Sequence, residues 1–251
     1  MVLALELFDR FGFAGALRWL HVLFGIAWIG LLYYFNFVQV PAFAEMSVPA
    51  RNEAITKLAT RALWWFRWAA LATAIFGILI VGAVQDYFEG FFSQARGASI
   101  FVGMVLALTM LYNVWMVIWP NQKIVIANAA NVLAGGQPDP GAAAAGRRAF
   151  LASRQNVLFS IPMLWFMVAT SHFYLGETFT GGGDAGSGKV WTFIIISLVI
   201  WAVLEANALG FIGGTAPGPT KQIYDTVRNV LISGFVLWAI LWLLSEIILK
   251  S

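Results

Sequence analysis

The chain has two histidines, and both sit in apolar runs. His21 lies in "ALRWLHVLFGIAWIG" and His172 in "MVATSHF". An imidazole in such a setting is costly to bury and needs a partner at each ring nitrogen. It can ligate a haem iron, handle protons, or hydrogen-bond a carbonyl or a hydroxyl such as Thr170 or Ser171. On a helix, Gly25 is one turn from His21 and Trp28 is two turns away. Val168 and Ala169 are one turn from His172, and Trp165 is two turns away. Small residues beside each histidine leave room for a flat group. Arg18, one turn to the other side of His21, places a cation where a propionate would lie. These features fit a b-type haem held by His21 and His172 and lined by Gly25, Trp28, Trp165 and Ala169. Polar packing or proton handling stays open as the plainer alternative. A non-haem metal is a weaker one, because neither histidine has a nearby carboxylate or cysteine.

A second set of polar residues comprises Asn36, Gln39, Arg67 inside "WWFRW", Asn113, Gln122, Gln155, Asn156, Glu205 and Asn207. Glu205 is a carboxylate in an otherwise apolar segment, so it must pair, protonate or face water. Arg67 is its expected partner. The two are the catalytic candidates, Arg67 to hold an anion and Glu205 to handle protons. The alternative is a structural pair with amide hydrogen bonds between helices, and "WWFRW" also reads as an interfacial aromatic belt.

The surrounding chain decides what positions these groups. Of 251 residues, 61% are hydrophobic and 11% charged, with twelve Trp and a mean hydropathy of +0.80. Soluble domains carry about 25% charged residues. The expected fold is therefore all-α: one polytopic transmembrane helical bundle of about six spans, with one or two short interfacial helices. Spans need about 20 apolar residues, and the segments that qualify are 15–38, 62–84, 98–119, 156–175, 190–211 and 229–249. Cysteine is absent, which rules out disulfides and thiolate sites. The small positive charge is spread over loops, so no nucleic-acid surface is expected. The N-terminus, with Glu6, Asp9 and Arg10, has no small-residue cleavage site of a signal peptide. "GETFTGGGDAGSGK" is a flexible connection without the ending of a phosphate loop. Gly210, Gly213 and Gly214 read as a helix end, and Pro162 as a kink in span 4 or a proline accommodated by neighbouring helices. No repeat symmetry of the kind seen in transporters is found.

Orientation follows from the positive-inside rule. Arg51, Lys57, Arg61, Arg67, Lys123, Arg147, Arg148, Arg154, Lys221 and Arg228 lie on one side, against Arg10, Arg18, Arg96, Lys189 and Lys250 on the other. This puts both termini outside, in the periplasm of a bacterial inner membrane. Spans 1 and 4 then run in opposite directions and bring His21 and His172 to one outer layer.

The stretches "LRWLHVLFGIAWIGLLYYFNF", "WWFRWAALAT", "NVWMVIWPNQKIV" and "RQNVLFSIPMLWFMVATSHF" resemble the membrane domain of the bacterial membrane-bound urate oxidase (urate hydroxylase) family over about residues 15–175. The first stretch is similar, more faintly, to the first helix of membrane protoporphyrinogen oxidases and copper-resistance membrane proteins. The resemblance implies oxidation of urate to 5-hydroxyisourate with electrons passed to a cytochrome c. In that family a C-terminal cytochrome c domain follows the helices, whereas these 251 residues hold no cysteine and hence no CxxCH. A separate periplasmic cytochrome c is then the expected acceptor, unless the family's activity does not extend to this chain. The function expected is a membrane oxidoreductase. The alternative is a non-catalytic accessory or assembly subunit of a larger membrane redox complex. A homo-oligomer is compatible with either.

Overall fold

The structure, a computed structural model, describes residues 10–83, 94–173 and 187–250. The Gly-rich connection at 176–186, the first nine residues and the tips of spans 2 and 4 lie outside the described residues. Helix α1 (Arg10–Tyr33) continues through a π turn (Tyr34–Gln39) into α2 (Val40–Glu45). After Met46 and Ser47, α3 (Val48–Ala54), a π turn (Ile55–Ala59) and α4 (Thr60–Ala83) form a second long helix. The third is α5 (Ala95–Tyr112), a π turn (Asn113–Ile118) and α6 (Trp119–Leu133). Then come α7 (Ala142–His172), α8 (Ser187–Leu209), the short α9 (Gln222–Asp225) and α10 (Val227–Leu249). Among the described residues there is no strand, so the helical bundle is as expected. One buried core runs from Trp28 to Leu249.

Five of these helices are long and apolar enough to cross a membrane: Gly12–Glu45, Val48–Gly82, Ala95–Leu133, Gly188–Leu209 and Val227–Leu249. The chain is a multi-pass membrane protein. α7 carries the sixth span of the sequence analysis, and its surroundings explain its lower hydropathy. It runs antiparallel to α5 in one register, with Ser99 on Thr170 at 3.0 Å, Gly103 against Phe166, and Asn113 on Asn156 at 3.0 Å. The fourteen residues between the first and last of these contacts cover about 21 Å of α5, a helix that itself qualifies as a span. α7 also packs on α1, α6, α8 and α10. Protein rather than lipid covers most of it, so it can afford polar residues.

The first and third spans do not end where the sequence analysis stops them. Both continue past a proline. Proline lacks an N–H and its ring meets the carbonyl four residues back. In each case a wider π turn ends two residues before it, at Gln39 before Pro41 and at Ile118 before Pro120. Pro162 does not break α7 either. The carbonyl it would have bonded, that of Leu158, faces Gly234 of α10, where an added Cβ would lie 3.1 Å from this oxygen and 2.5 Å from Ile161 Cδ1. At the end of α8 the glycines behave as read. Gly210 has φ +91°; its N–H donates to Asn207 O and that of Phe211 to Ala206 O, the Schellman arrangement.

Gly234 is thus a packing requirement. Gly234→Leu should cost about 1–3 kcal/mol through overpacking, read as a lower Tm in detergent. Gly30→Leu, at a site with nothing within 4 Å of the added Cβ, should leave Tm unchanged.

Candidate functional site

His21 points from α1 to α4. Its Nδ1 lies 2.8 Å from the Thr73 carbonyl, and its ring fits against Gly77, where a Cβ would come within 3.0 Å of Cε1. Phe24 stacks on Phe76 one turn further in. A carbonyl only accepts, so Nδ1 carries a proton, which in the tautomer of the neutral ring leaves the lone pair on Nε2. His172 is in the same state by a different route: its Nδ1 donates to Val168 O of its own helix at 3.0 Å.

The depth of the two rings follows from one contact. Tyr33 OH meets Ser160 Oγ at 2.9 Å where α1 and α7 touch. His21 is twelve residues from Tyr33 and His172 is twelve from Ser160, each about 18 Å toward the outer end. The antiparallel helices therefore carry both histidines at one level. Trp28 and Trp165, five residues from the same contact, share a second level, and both have a buried indole N–H without a partner. Two imidazoles at one depth supply the donor chemistry of a two-histidine haem site, but their side chains are not aimed at a common point.

The walls differ from the expected slot. A Cβ added at Gly25 would lie 3.8 Å from Thr73 Cγ2, so this glycine faces the α1–α4 interface. Ala169 is buried, His172 and Arg18 are exposed, and Trp165 packs edge-on against Trp238 of α10. His21 is turned to α4 and His172 outward, so their side chains do not face each other across a gap lined by Gly25 and Ala169.

The inner polar layer is real and extensively buried. Asn113 donates to Asn156 Oδ1 at 3.0 Å and to Glu205 Oε2 at 3.4 Å, while Asn156 donates to Met110 O. Tyr224 OH donates to Gln155 Oε1 at 2.7 Å. Burial, and then the Glu205 carboxylate, raise the Tyr224 phenol above its ordinary pKa. Asn36 ties α1 to α7 through Leu32 O and Ser153 Oγ. Glu205 Oε1, Asn113 Oδ1 and Gln155 Nε2 remain buried without a partner. The cluster can thus accept and donate further hydrogen bonds to a small polar guest or to water.

Arg67 is not the partner of Glu205. Its guanidinium lies over Trp119 at 3.3 Å from the ring centroid and near Trp115 at 5.5 Å, while Glu205 meets Asn113. Residues 113 and 115 project from nearly opposite faces of the helix, so α5 and its π turn stand between the two charges. Equal depth does not fix the angle around a helix.

Two buried cations were not foreseen. Arg154, 2% exposed, lies over Phe150 with Nε and Nη1 unpartnered. Lys221, fully buried, donates to Asn207 O and Oδ1 at 2.5 Å and to Ile212 O at 2.8 Å. It thereby caps the negative end of α8. Burial, and then Arg147, hold its pKa below the usual lysine value. The glycine-rich helix end at 210–214 was the available signal for such a cap.

A family model described as Urate oxidase N-terminal matches residues 69–204, more than half of the chain. The chain belongs to the urate oxidase N-terminal family. The matched region contains Asn113, Asn156 and His172, and stops short of His21, Arg67 and Glu205. No curated protein and no solved structure matches the chain.

Asn113 is the hub of the inner layer. Asn113→Ala would leave Asn156 and Glu205 short of a buried donor and should cost about 1–3 kcal/mol, read by thermal denaturation. Glu205→Gln keeps an acceptor for Asn113 and should change Tm far less.

Proposed function

We propose that the chain is a membrane oxidoreductase in which His21 and His172 hold a b-type haem near the outer face, and that its electrons leave to a separate periplasmic cytochrome c. The observation that carries this is the pair of imidazoles at one depth, each with Nδ1–H given to a backbone carbonyl and Nε2 left as the basic nitrogen. This orientation is the usual one for a ligating histidine. When bound, the haem supplies one-electron transfer. Thr73 O holds the ring tautomer of His21, whereas His172 must leave Val168 O to ligate. Gly77 provides the space that lets His21 lie against α4. Ligation between α1 and α7 requires rotation of His172 toward the bundle.

Membership in the family supports urate as the substrate. Its conversion to 5-hydroxyisourate takes an oxygen from water and releases two electrons and two protons. Glu205, with Oε1 free, is the group suited to accept a proton in the inner layer, with Asn113 and Asn156 orienting it. Arg67 lies across the helix and is left out of this role.

Oxidised and dithionite-reduced absorption spectra of the purified protein test the proposal. The wild type should show a Soret band and a sharp reduced α band, and His21→Ala and His172→Ala should each lose or shift them. A wild type that stays colourless after incubation with haem, or variants with unchanged spectra, would overturn it and favour the accessory-subunit role.

A further inference from the structure

Arg67 is a buried cation that the inner cluster does not use. It is 9% exposed, its Nε has no acceptor, and among the described residues it makes no ion pair. It is pinned flat on Trp119, and Lys123 Nζ reaches the same indole at 5.8 Å. α4 is antiparallel to the third long helix, since α3 and the π turn before α4 pack on α6 while α4 packs on α5; where they meet, Trp115 Nε1 donates to Arg67 O at 3.3 Å and Trp68 packs edge-on to Trp115. Arg61, six residues from Arg67, and Lys123, eight residues from Trp115, therefore lie beyond this contact in the same direction, at levels roughly 9 and 12 Å from it. Neither is in an ion pair among the described residues. Arg61 donates to Lys57 O of its own helix. Trp64, Trp65 and Trp68 stand exposed beside them, at the level where aromatic residues meet the headgroups.

Three cations without a carboxylate, flanked by exposed indoles at one membrane boundary, form a surface that lacks its counter-charge. A guanidinium fixed by stacking presents its planar N–H groups for a phosphate. Basic residues next to a span attract anionic lipid, and the exposed tryptophans offer apolar walls for acyl chains. We propose that the face of α4 and α6 binds an anionic phospholipid of the adjoining leaflet, with its phosphate held by Arg67, Arg61 and Lys123. The site is independent of the haem proposal.

The full chain, reconstituted in nanodiscs of phosphatidylcholine with or without phosphatidylglycerol, provides the test. The readouts are Tm and the lipid retained in native mass spectra after detergent extraction. Wild type should be more stable with phosphatidylglycerol and should retain it in preference to phosphatidylcholine. Arg67→Gln should lose that preference, and the double variant Arg61→Gln/Lys123→Gln, altered only at exposed positions, should weaken it about fivefold per cation removed. Equal retention of both lipids by wild type, or undiminished preference in the double variant, would overturn the proposal. An equal rise in Tm with inorganic phosphate alone would also overturn it, by assigning the site to a soluble anion.

Discussion

Within the hydrocarbon of a bilayer no water is at hand for a backbone carbonyl that loses its helical partner, and each such loss costs several kcal/mol. Three prolines inside helices each remove a helical partner, Pro162 in mid-span and Pro41 and Pro120 toward the membrane boundary, and the fold is arranged around the answers. Pro41 and Pro120 follow π turns, which widen the helix before the pyrrolidine ring arrives. Pro162 instead frees Leu158 O toward Gly234, where α10 comes close because there is no side chain. The third π turn holds Asn113, so the distortion that accommodates Pro120 also sets the residue around which the inner polar layer is built.

α7 is the second organising element. Its outer half makes small-residue and aromatic contacts to α5, while its inner half carries Arg154, Gln155 and Asn156 in succession. Those three diverge around the helix, toward Phe150, Tyr224 and Asn113 respectively. A helix facing lipid could not carry them; one enclosed by α1, α5, α6, α8 and α10 can. The same enclosure fixes the height of His172 against His21 through the Tyr33–Ser160 contact.

Depth was legible in the sequence and azimuth was not. Counting spans and their directions was enough to put His21 and His172 in one layer, and Arg67 near Glu205 in height. It could not tell that His21 turns to Thr73, or that α5 stands between Arg67 and Glu205. Helix ends were misjudged for a related reason: the spans were cut to the length of an apolar run, whereas a π turn upstream of Pro41 and Pro120 lets each helix continue. The buried lysine cap of α8 escaped because Lys221 and Asn207 are joined only by the folding of the intervening glycine-rich turn. The helical class, the membrane setting and the family were all visible in composition and in the quoted stretches.

The third long helix, Ala95–Leu133, has 39 residues and so measures about 58 Å, against a hydrocarbon slab of about 30 Å. Its last turns therefore extend past the slab, with the start of α7 and α3 packed against them. The turn at 134–141 caps that extension. For imaging, this gives a small membrane protein an asymmetric landmark: an antibody fragment raised against that tip would move as one body with the spans and fix their orientation in particle alignment.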